Sequence, residues 1–367
     1  MKGLAICSRG IEDITALEIK ELINSKSEIK DSCVIFDVKK LEELALLCYK
    51  AQSVDKILYL FDSFKFKDIE EIKEKIGKID IKSWLGKKTF RVSCGIINND
   101  ISSTELNETA GEVIFEKFKN KVDLENPDLI FFVFIDKNDC YFGIDFAGFE
   151  LQKRQYKISS HPAALRSTVA YSLVRIADCK ENELMLDAFS GSGTIPIEAA
   201  LFISRFPVNF YNKEKFAFLK FIKFNFKDKK LQKPAKSEIY GYDSFLGYIT
   251  NAKKNAKIAG IEKFINFARV DVEWLETKFG KGKVDRIASN PPMLSKNKNE
   301  KDIEKLYNEF FYQAEFILND KGSIVLITNE NSSELLKKAA EKNKFKIKEK
   351  RKVMHGKEEK VVVVFGK

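Results

Sequence analysis

Apolar residues in the first part of the chain recur at two different spacings, which predict a mixture of strands and helices. Short apolar runs typical of strands occur at residues 4–7, 33–38 and 57–61. Residues 11–23 and 41–49 instead carry apolar side chains three or four positions apart, as on one face of a helix. We therefore predict a first α+β domain over residues 1–62.

The same mixture continues over residues 63–152, where we predict a second α+β domain. A helix is expected at residues 103–118, and strands are expected at residues 90–93, 130–135 and 140–144. Turn-forming residues 137–139 join the last two strands into a hairpin. The polar and basic residues 153–160 then predict a linker.

From residue 161 to residue 367, apolar runs alternate regularly with helical segments, which is typical of an α/β domain with a parallel sheet. Strands are predicted at residues 184–187, 239–243, 267–271, 284–289 and 324–328. Helices are predicted at residues 161–178, 245–259, 303–318 and 334–342. Residues 345–353 and 361–365 form a terminal hairpin around Gly356. The overall class is α/β, with two α+β domains preceding a Rossmann-like domain.

The first strand of this third domain ends at Asp187 and leads into a turn of small residues. These are Ser190, Gly191, Ser192, Gly193 and Thr194. Glycines let the backbone come close to a ligand, and ligands in open α/β sheets bind outside the carboxyl ends of the strands. A phosphate-binding P-loop is excluded because no lysine lies between Asp187 and Ala200.

A dinucleotide site is also disfavoured, since Pro196 stands where its third small residue belongs. S-adenosylmethionine is the remaining candidate, and it carries no phosphate. The pattern D-x-F-x-G-S-G-T starting at Asp187 resembles the first motif of class I methyltransferases. The unexceptional alternative is a tight strand-to-helix connection.

Two further strands of the third domain end in carboxylates, Asp243 and Asp271. An acid at the end of the second strand accepts both ribose hydroxyls in dinucleotide sites, and Asp243 is predicted to do the same here. Asp271 is expected to accept from the adenine amine. One such acid alone would be interpreted as a helix cap, but three in this order favour a cofactor site.

The fourth strand leads into Asn290-Pro291-Pro292-Met293, which resembles a motif of enzymes that act on aromatic amines. The lone pair of such an amine is delocalised into its ring, so it is a poor nucleophile. The Asn290 side-chain oxygen and the Pro291 carbonyl could accept the two amine protons and aim the lone pair at a methyl group. The two prolines hold the loop extended. Asn290 is expected to contact the cofactor as well.

This segment resembles the N-P-P-aromatic motif of enzymes that methylate exocyclic amines of nucleobases. The departure is Met293, which stands where the family has an aromatic ring to stack on the target base. A thioether stacks more weakly and less rigidly than a ring. Asn290 as the amine-binding residue is unaffected.

Charge and composition bear on the partner. The formal net charge is +10 and the isoelectric point is near 9.0, which suits a polyanion such as RNA, although a lysine-rich composition explains both equally well. Phosphate contacts are predicted for Lys153, Arg154, Lys157 and Arg166, with an ordinary solvated linker as the alternative.

A segment dense in phenylalanine and lysine, residues 207–236, has two interpretations. Its rings could stack nucleobases while its lysines neutralise phosphates. We favour the alternative, in which the phenylalanines pack inward and the lysines stay in water.

The remaining composition argues against several classes of protein. The six cysteines are scattered, which argues against a zinc site or a disulfide framework. The two histidines, His161 and His355, exclude a histidine-rich metal site. No apolar run reaches about 18 residues, so a cytoplasmic location is expected. A capping role for His161 is favoured over general-base catalysis.

Motifs in the first two domains complete the resemblance. Val122-Asp123-Leu124, Pro127-Asp128, Gly143-Ile144-Asp145 and Gly148 resemble the THUMP domain, an RNA-binding module. Residues 7–12 resemble the ferredoxin-like domain that precedes it, and the segment His161-Pro162-Ala163 resembles the one lying over the cofactor pocket. The chain is thus identified as a THUMP-domain class I RNA methyltransferase.

The resemblance implies a specific fold and activity. It implies S-adenosylmethionine as cofactor, no metal, and an antiparallel strand inserted last into the sheet. It also implies methylation of the exocyclic N2 of a guanosine in tRNA, with guanosine 6 of the acceptor stem favoured. Two alternatives stay open, a 23S rRNA guanine-N2 methyltransferase and a catalytically silent RNA-binding homologue.

Overall fold

The computed structural model describes residues 1–159, 164–226, 238–295 and 299–367. It divides the chain into two compact units, each formed by more than one stretch of sequence. The first unit contains Met1–Cys7, Thr15–Leu151 and Asn209–Lys227. The second contains Ser8–Ile14, Gln152–Val208 and Asp228–Lys367. Within the residues just given, no helix is both long and apolar enough to cross a bilayer.

The first unit is built on one seven-stranded sheet, in the order β2-β3-β1-β4-β7-β6-β5. Its strands are β1 (Lys2–Ile6), β2 (Ser27–Lys30), β3 (Cys33–Asp37), β4 (Lys56–Lys65), β5 (Phe90–Ile97), β6 (Leu129–Asp136) and β7 (Asp139–Asp145). The predicted boundary between residues 62 and 63 falls inside β4, which pairs with β1 on one side and β7 on the other. The two predicted α+β domains therefore share one continuous sheet.

The helices of the first unit cover this sheet with apolar faces. They are α1 (Glu12–Ile23), α2 (Leu41–Lys50), α3 (Ile69–Lys78), α4 (Lys82–Leu85) and α5 (Ser103–Phe118). Sequence analysis missed β2, α3 and α4. The sequence nevertheless carries a signal for α3, namely Asp68 followed three residues later by Glu71, which is a capping pattern. In the structure Asp68 caps the helix by accepting from the backbone N–H of Glu71 at 2.9 Å.

Residues 209–226 pack their phenylalanines into the core of the first unit. Phe218 is fully buried and stacks on Phe216, with ring centroids 4.9 Å apart. Phe221 contacts Trp84 edge-on at 5.7 Å. The inward-packing interpretation is thus confirmed for this part of the segment, although it forms 3₁₀ turns instead of helices. Residues 227–236 of the segment lie outside the described residues.

The second unit contains a seven-stranded sheet in the order β10-β9-β8-β11-β12-β14-β13. Its strands are β8 (Leu184–Asp187), β9 (Glu238–Asp243), β10 (Ile265–Arg269), β11 (Val284–Ser289), β12 (Leu318–Thr328), β13 (Lys346–His355) and β14 (Glu358–Gly366). Strands β8 to β12 run parallel, whereas β14 is antiparallel to both β12 and β13. The predicted antiparallel insertion at the end of the chain is confirmed.

In the described part of this unit five helices accompany the sheet, four of them at or near the predicted positions. They are α6 (Ser167–Ile176), α7 (Thr194–Ser204), α8 (Leu246–Ile258), α9 (Glu300–Ile317) and α10 (Glu330–Lys342). The predicted helix from residue 161 begins at Ser167 in the structure, and residues 160–163, with His161, lie outside the described part. The core of the unit includes three aromatic residues of α9, Tyr307, Phe310 and Phe311, which are almost fully buried.

We expect Phe218→Ala to lower the free energy of unfolding of the first unit by about 3–5 kcal/mol, because it leaves a cavity in the core. Denaturant unfolding can be followed by the fluorescence of Trp84 in a Trp274→Phe background, since Trp84 lies in this unit. The matched control is Leu219→Ala, whose side chain is 37% exposed. An equal loss in both variants would contradict the buried role of Phe218.

Candidate active site

A cavity of about 950 Å³ opens at the carboxyl ends of the parallel strands of the second unit. It brings together most of the site residues that the sequence predicts. Those in its wall are Asp187, Ser190, Gly191, Ser192, Thr194, Asp243, Asp271, Asn290, Pro291, Pro292 and Met293. Gly193 belongs to the same turn but does not line the cavity. Residues 290–295, which we call the NPP loop, form one side of the cavity.

Asp187 is the buried acid of the cavity. Its Oδ1 accepts from Ser289 Oγ at 2.8 Å and from the backbone N–H of Phe189 at 3.1 Å. Among the described residues, Oδ2 has no hydrogen-bond partner. Burial raises the pKa of Asp187 to about 7, the two hydrogen bonds oppose that rise, and the charge of Asp243 adds to it. A cation bound at Oδ2 would favour the ionised form.

The small-residue turn is shaped by its glycines and by Asp243. The backbone N–H of Gly191 donates to Asp243 Oδ2 at 2.9 Å. Gly193 adopts φ +82°, and a Cβ there would lie 2.9 Å from both Ala252 Cβ and the Phe267 ring. Gly193 therefore serves the close packing of the turn against its neighbours.

Asp243 is the last residue of β9, as predicted, whereas Asp271 lies two residues beyond the end of β10, which finishes at Arg269. Asp243 Oδ1 also accepts from the backbone N–H of Phe245 at 3.0 Å, which fixes the carboxylate. Each carboxylate oxygen has two acceptor positions, so capacity for ribose hydroxyls remains. Asp271 is exposed in the wall of the same cavity, and its contact with the adenine amine stays a prediction.

The NPP loop is anchored by polar groups from two helices. Tyr307 of α9 donates its hydroxyl to the carbonyl of Pro292 at 2.6 Å. The backbone N–H of Leu294 donates to Ser332 Oγ at 2.8 Å, and Asn329 Nδ2 donates to the Leu294 carbonyl at 3.0 Å. These three bonds fix the backbone that follows Asn290, which is what a positioning mechanism requires.

The hairpin of β13 and β14 supplies another wall of the cavity. Lys360 Nζ lies 4.0 Å from Met293 Sδ and 2.9 Å from a Glu358 carboxylate oxygen. His355 Nε2 accepts from the backbone N–H of Arg166 at 2.8 Å. Burial lowers the pKa of His355, and the charges of Arg166 and Lys360 lower it further, so the neutral acceptor form is favoured.

The predicted RNA contact of Arg154 is corrected by the structure. Its guanidinium forms two bonds of 3.0 and 3.2 Å with the carboxylate of Glu198, and Tyr156 donates to the same carboxylate at 2.8 Å. The side chains of Arg154 and Glu198 are 1% and 0% exposed. This ion pair fastens the residues after Leu151 to α7, so Arg154 does not face an RNA phosphate.

The other predicted phosphate contacts fall into two groups. Lys157 Nζ donates to the carbonyl of Leu165 at 2.6 Å and is partly buried, so it supports a residue of the cavity wall. Burial lowers its pKa. Lys153 is exposed and Arg166 is partly buried beside the hairpin turn, and their contacts with RNA stay predictions.

Sequence reasoning missed the residues that support the site, namely Ser289, Tyr307, Asn329 and Ser332. Ser289 had a signal, since it directly precedes Asn290 at the end of a predicted strand. The other three lie far from the NPP loop in the sequence, and no local pattern connects them to it.

Two family models match this chain. Residues 154–360 match the model of the RMKL-like methyltransferase domain, which is more than half of the chain, and residues 66–145 match the THUMP domain. The chain belongs to the RMKL-like methyltransferase family. The predicted THUMP-domain class I methyltransferase is therefore confirmed.

Similar proteins agree with this assignment. The chain is 30% identical to the tRNA (guanine(6)-N2)-methyltransferase of Methanocaldococcus jannaschii, covering 95% of each protein. It is 25% identical to the ribosomal RNA large subunit methyltransferase K/L of Aliivibrio fischeri, covering 93% of this chain and 51% of that protein. Its fold resembles TrmN from Thermus thermophilus, with TM-score 0.74, 22% identity and coverage of 100% and 99%.

S-adenosylmethionine is the methyl donor of this RMKL-like family, and the residues of the cavity fit it. The buried Oδ2 of Asp187 can accept from the cofactor's ammonium, since the described residues give it no partner. Ser190 Oγ is likewise buried without a partner in the described structure. Asp243 and Asp271 offer acceptors for hydroxyls and an amine. These hydrogen-bond acceptors suit a cofactor that carries a positive charge and no phosphate.

We expect Asp187→Asn to stabilise the protein above pH 7 while weakening cofactor binding. The raised pKa means that the folded state binds this proton more tightly than the unfolded state, so stability falls as pH rises from about 4 to about 7. Asparagine removes that cost, roughly 2–4 kcal/mol at pH 8, because a pKa unit corresponds to about 1.4 kcal/mol.

Melting temperatures of this variant and the wild type at pH 5 and pH 8, each with and without S-adenosylmethionine, check this expectation. Asp271→Asn is the control in the absence of the cofactor, because removing this exposed charge should change the melting temperature of the free protein little. Equal melting temperatures of wild type and Asp187→Asn at pH 8 would contradict a costly buried charge.

Tyr307→Phe should lower kcat about tenfold with little change in cofactor affinity, since it removes the bond to Pro292 but keeps the buried ring. Single-turnover methyl transfer and calorimetric titration with the cofactor measure the two effects. Tyr312→Phe, on the exposed side of the same helix, is the control. A parallel loss of cofactor binding would show that Tyr307 supports the whole cavity instead of the loop.

Proposed function

We propose that this protein transfers a methyl group from S-adenosylmethionine to the exocyclic N2 of a guanosine in tRNA, with guanosine 6 of the acceptor stem as the target. The observation that carries the proposal is the fixed NPP loop beside the acidic cavity. The name of the Methanocaldococcus jannaschii relative supports the choice of RNA and base, because that relative is similar over nearly the whole chain.

The proposed chemistry is positioning without a covalent enzyme intermediate. S-adenosylmethionine, when bound, supplies an electrophilic methyl group. The Asn290 side-chain oxygen and the Pro291 carbonyl accept the two protons of the guanine amine, which favours a pyramidal nitrogen. The lone pair then points along one direction, and the bonds that fix Pro292 and Leu294 keep that direction constant.

The cavity supports this assignment of roles. Asn290 and Asp187 follow adjacent parallel strands, β11 and β8, so the amide and the buried carboxylate open into one space. Asp187, Asp243 and Asp271 would hold the cofactor's charged and polar groups. Met293 would lie against one face of the target base, where its flexible thioether fits without fixing the ring.

The THUMP domain would select the RNA. A match to this module covers residues 66–145 in the first unit. The exposed Lys153 and the partly buried Arg166 are proposed to add phosphate contacts, which position RNA without reading its sequence.

An rRNA guanine-N2 methyltransferase is the second candidate. It is favoured by the similarity to the Aliivibrio fischeri enzyme, of which this chain spans about half. A silent RNA-binding homologue would fit Met293 but gives no reason for a fixed NPP loop.

We expect labelled methyl from S-adenosylmethionine to enter unmodified tRNA as N2-methylguanosine. Asn290→Ala should lower the rate by on the order of a hundredfold or more, because the acceptor of an amine proton is lost. Nucleoside analysis identifies the product and sequencing of the tRNA locates it. Asn266→Ala is the control, since Asn266 is exposed on the edge strand β10.

Each outcome of this experiment assigns one function. Label in rRNA fragments and not in tRNA would move the assignment to the ribosomal substrate. Cofactor binding without transfer to either RNA would contradict the proposed enzyme and leave a binding protein. An undiminished rate in Asn290→Ala would refute the role of the amide.

A further inference from the structure

Lys360 is a cationic side chain inside the cavity, and the proposed transfer of the methyl group does not use it. Its side chain is only 17% exposed, and its Nζ lies 4.0 Å from Met293 Sδ. Glu358 holds it through an ion pair of 2.9 Å. An ammonium has three N–H donors, so donors remain for a ligand after this pair is made.

The position of this ammonium relative to Asn290 is fixed from both sides. Lys360 lies on strand β14, where it pairs with Val353 and is followed by the buried Val361. Met293, which it contacts, belongs to the NPP loop anchored by Tyr307. Groups on strands hold their geometry better than groups on loops. The cation and the Asn290 amide therefore line the same cavity and can contact one ligand.

The chemistry of the bases indicates which base this arrangement would select. Guanine carries its exocyclic amine and its O6 acceptor on the same edge, separated by N1–H, and adenine has an amine where guanine has O6. Lysine donates hydrogen bonds and accepts none. An ammonium beside the amine-binding loop therefore finds an acceptor in guanine, whereas adenine, with its only exocyclic amine in the loop, presents C2–H at that position and leaves the ammonium without a partner.

From this juxtaposition we infer that Lys360 is a specificity-determining residue, which donates to O6 of the target guanine while Asn290 holds the N2 amine. This inference rests on the proposed function. It explains how a loop whose chemistry suits any aromatic amine accepts guanine in preference to adenine. Met293 covers the base, and the ion pair with Glu358 keeps the ammonium aimed at the edge.

The test compares two synthetic tRNAs, one with guanosine and one with 2-aminopurine riboside at the target position. The second base keeps the N2 amine and lacks O6. The wild type should prefer guanosine in kcat/KM, and Lys360→Met should reduce that preference about tenfold or more, because a hydrogen bond to a charged group is lost only with guanosine. Any intrinsic difference in amine reactivity cancels when the two enzymes are compared.

Two further variants make the result specific. Lys360→Arg keeps a cationic donor and should retain a preference for guanosine. Lys352→Met removes a lysine of the same hairpin that does not belong to the described cavity wall, and it should leave the preference unchanged.

Three results would overturn the inference, and they are distinguishable. An equal loss of rate on both RNAs in Lys360→Met would indicate a structural role. Unchanged rates on both RNAs would show that Lys360 does not contact O6. Failure of the wild type to methylate the guanosine RNA would refute the proposed function itself, and the assignment of Lys360 with it.

Discussion

The hydroxyl of Ser289 is the contact on which the cavity depends. It donates to the buried Asp187 carboxylate at 2.8 Å and accepts from the backbone N–H of Ala188 at 2.9 Å. The ends of β8 and β11 are thereby joined at the point where the glycine turn and the NPP loop leave the sheet. This side chain thus adds to the parallel pairing of β8 and β11 in holding the proposed cofactor and amine sites in one register.

The same contact explains why a buried carboxylate, whose charge destabilises the folded state, is tolerated at Asp187. An acid buried at this depth disfavours its own ionised form, and one oxygen is already engaged by Ser289 and Phe189. The other oxygen faces the cavity, where a cationic ligand would compensate the charge. The Asp187 carboxylate thus lowers the stability of the free protein and favours binding of a cationic ligand, a balance that is common at functional sites.

The fold could be predicted from the sequence wherever the apolar pattern was long and regular. The parallel strands of the second unit and the terminal hairpin follow from that pattern, and the small-residue turn with its acid locates the cavity. The short strand β2 is mostly exposed and carries no apolar pattern. Helix α3 carries a cap and isoleucines at helical spacing, Ile69, Ile72 and Ile76, and this pattern was overlooked. A short element without a clear apolar period, such as β2, gives hydrophobic periodicity nothing to detect.

Side-chain partners were the least predictable part of the site. Arg154 has the same charge as a surface arginine, and its burial depends on Glu198, which lies 44 residues further along the chain. Tyr307, Asn329 and Ser332 anchor the NPP loop from α9, from the cap of α10 and from its first turn. Such roles depend on tertiary packing, which a single sequence does not display.

The phenylalanine segment also has a consequence for the order in which the chain is made. Phe216 and Phe218 belong to the core of the first unit, yet a ribosome synthesises them after the 57 residues Gln152–Val208 of the second. During synthesis, part of the apolar surface of the first unit therefore stays uncovered until Phe216 and Phe218 have also emerged from the ribosome. A fragment that ends at the predicted domain boundary, residue 152, would lack Phe216 and Phe218 and keep this surface exposed permanently. The first unit therefore cannot be separated from the rest of the chain at that boundary.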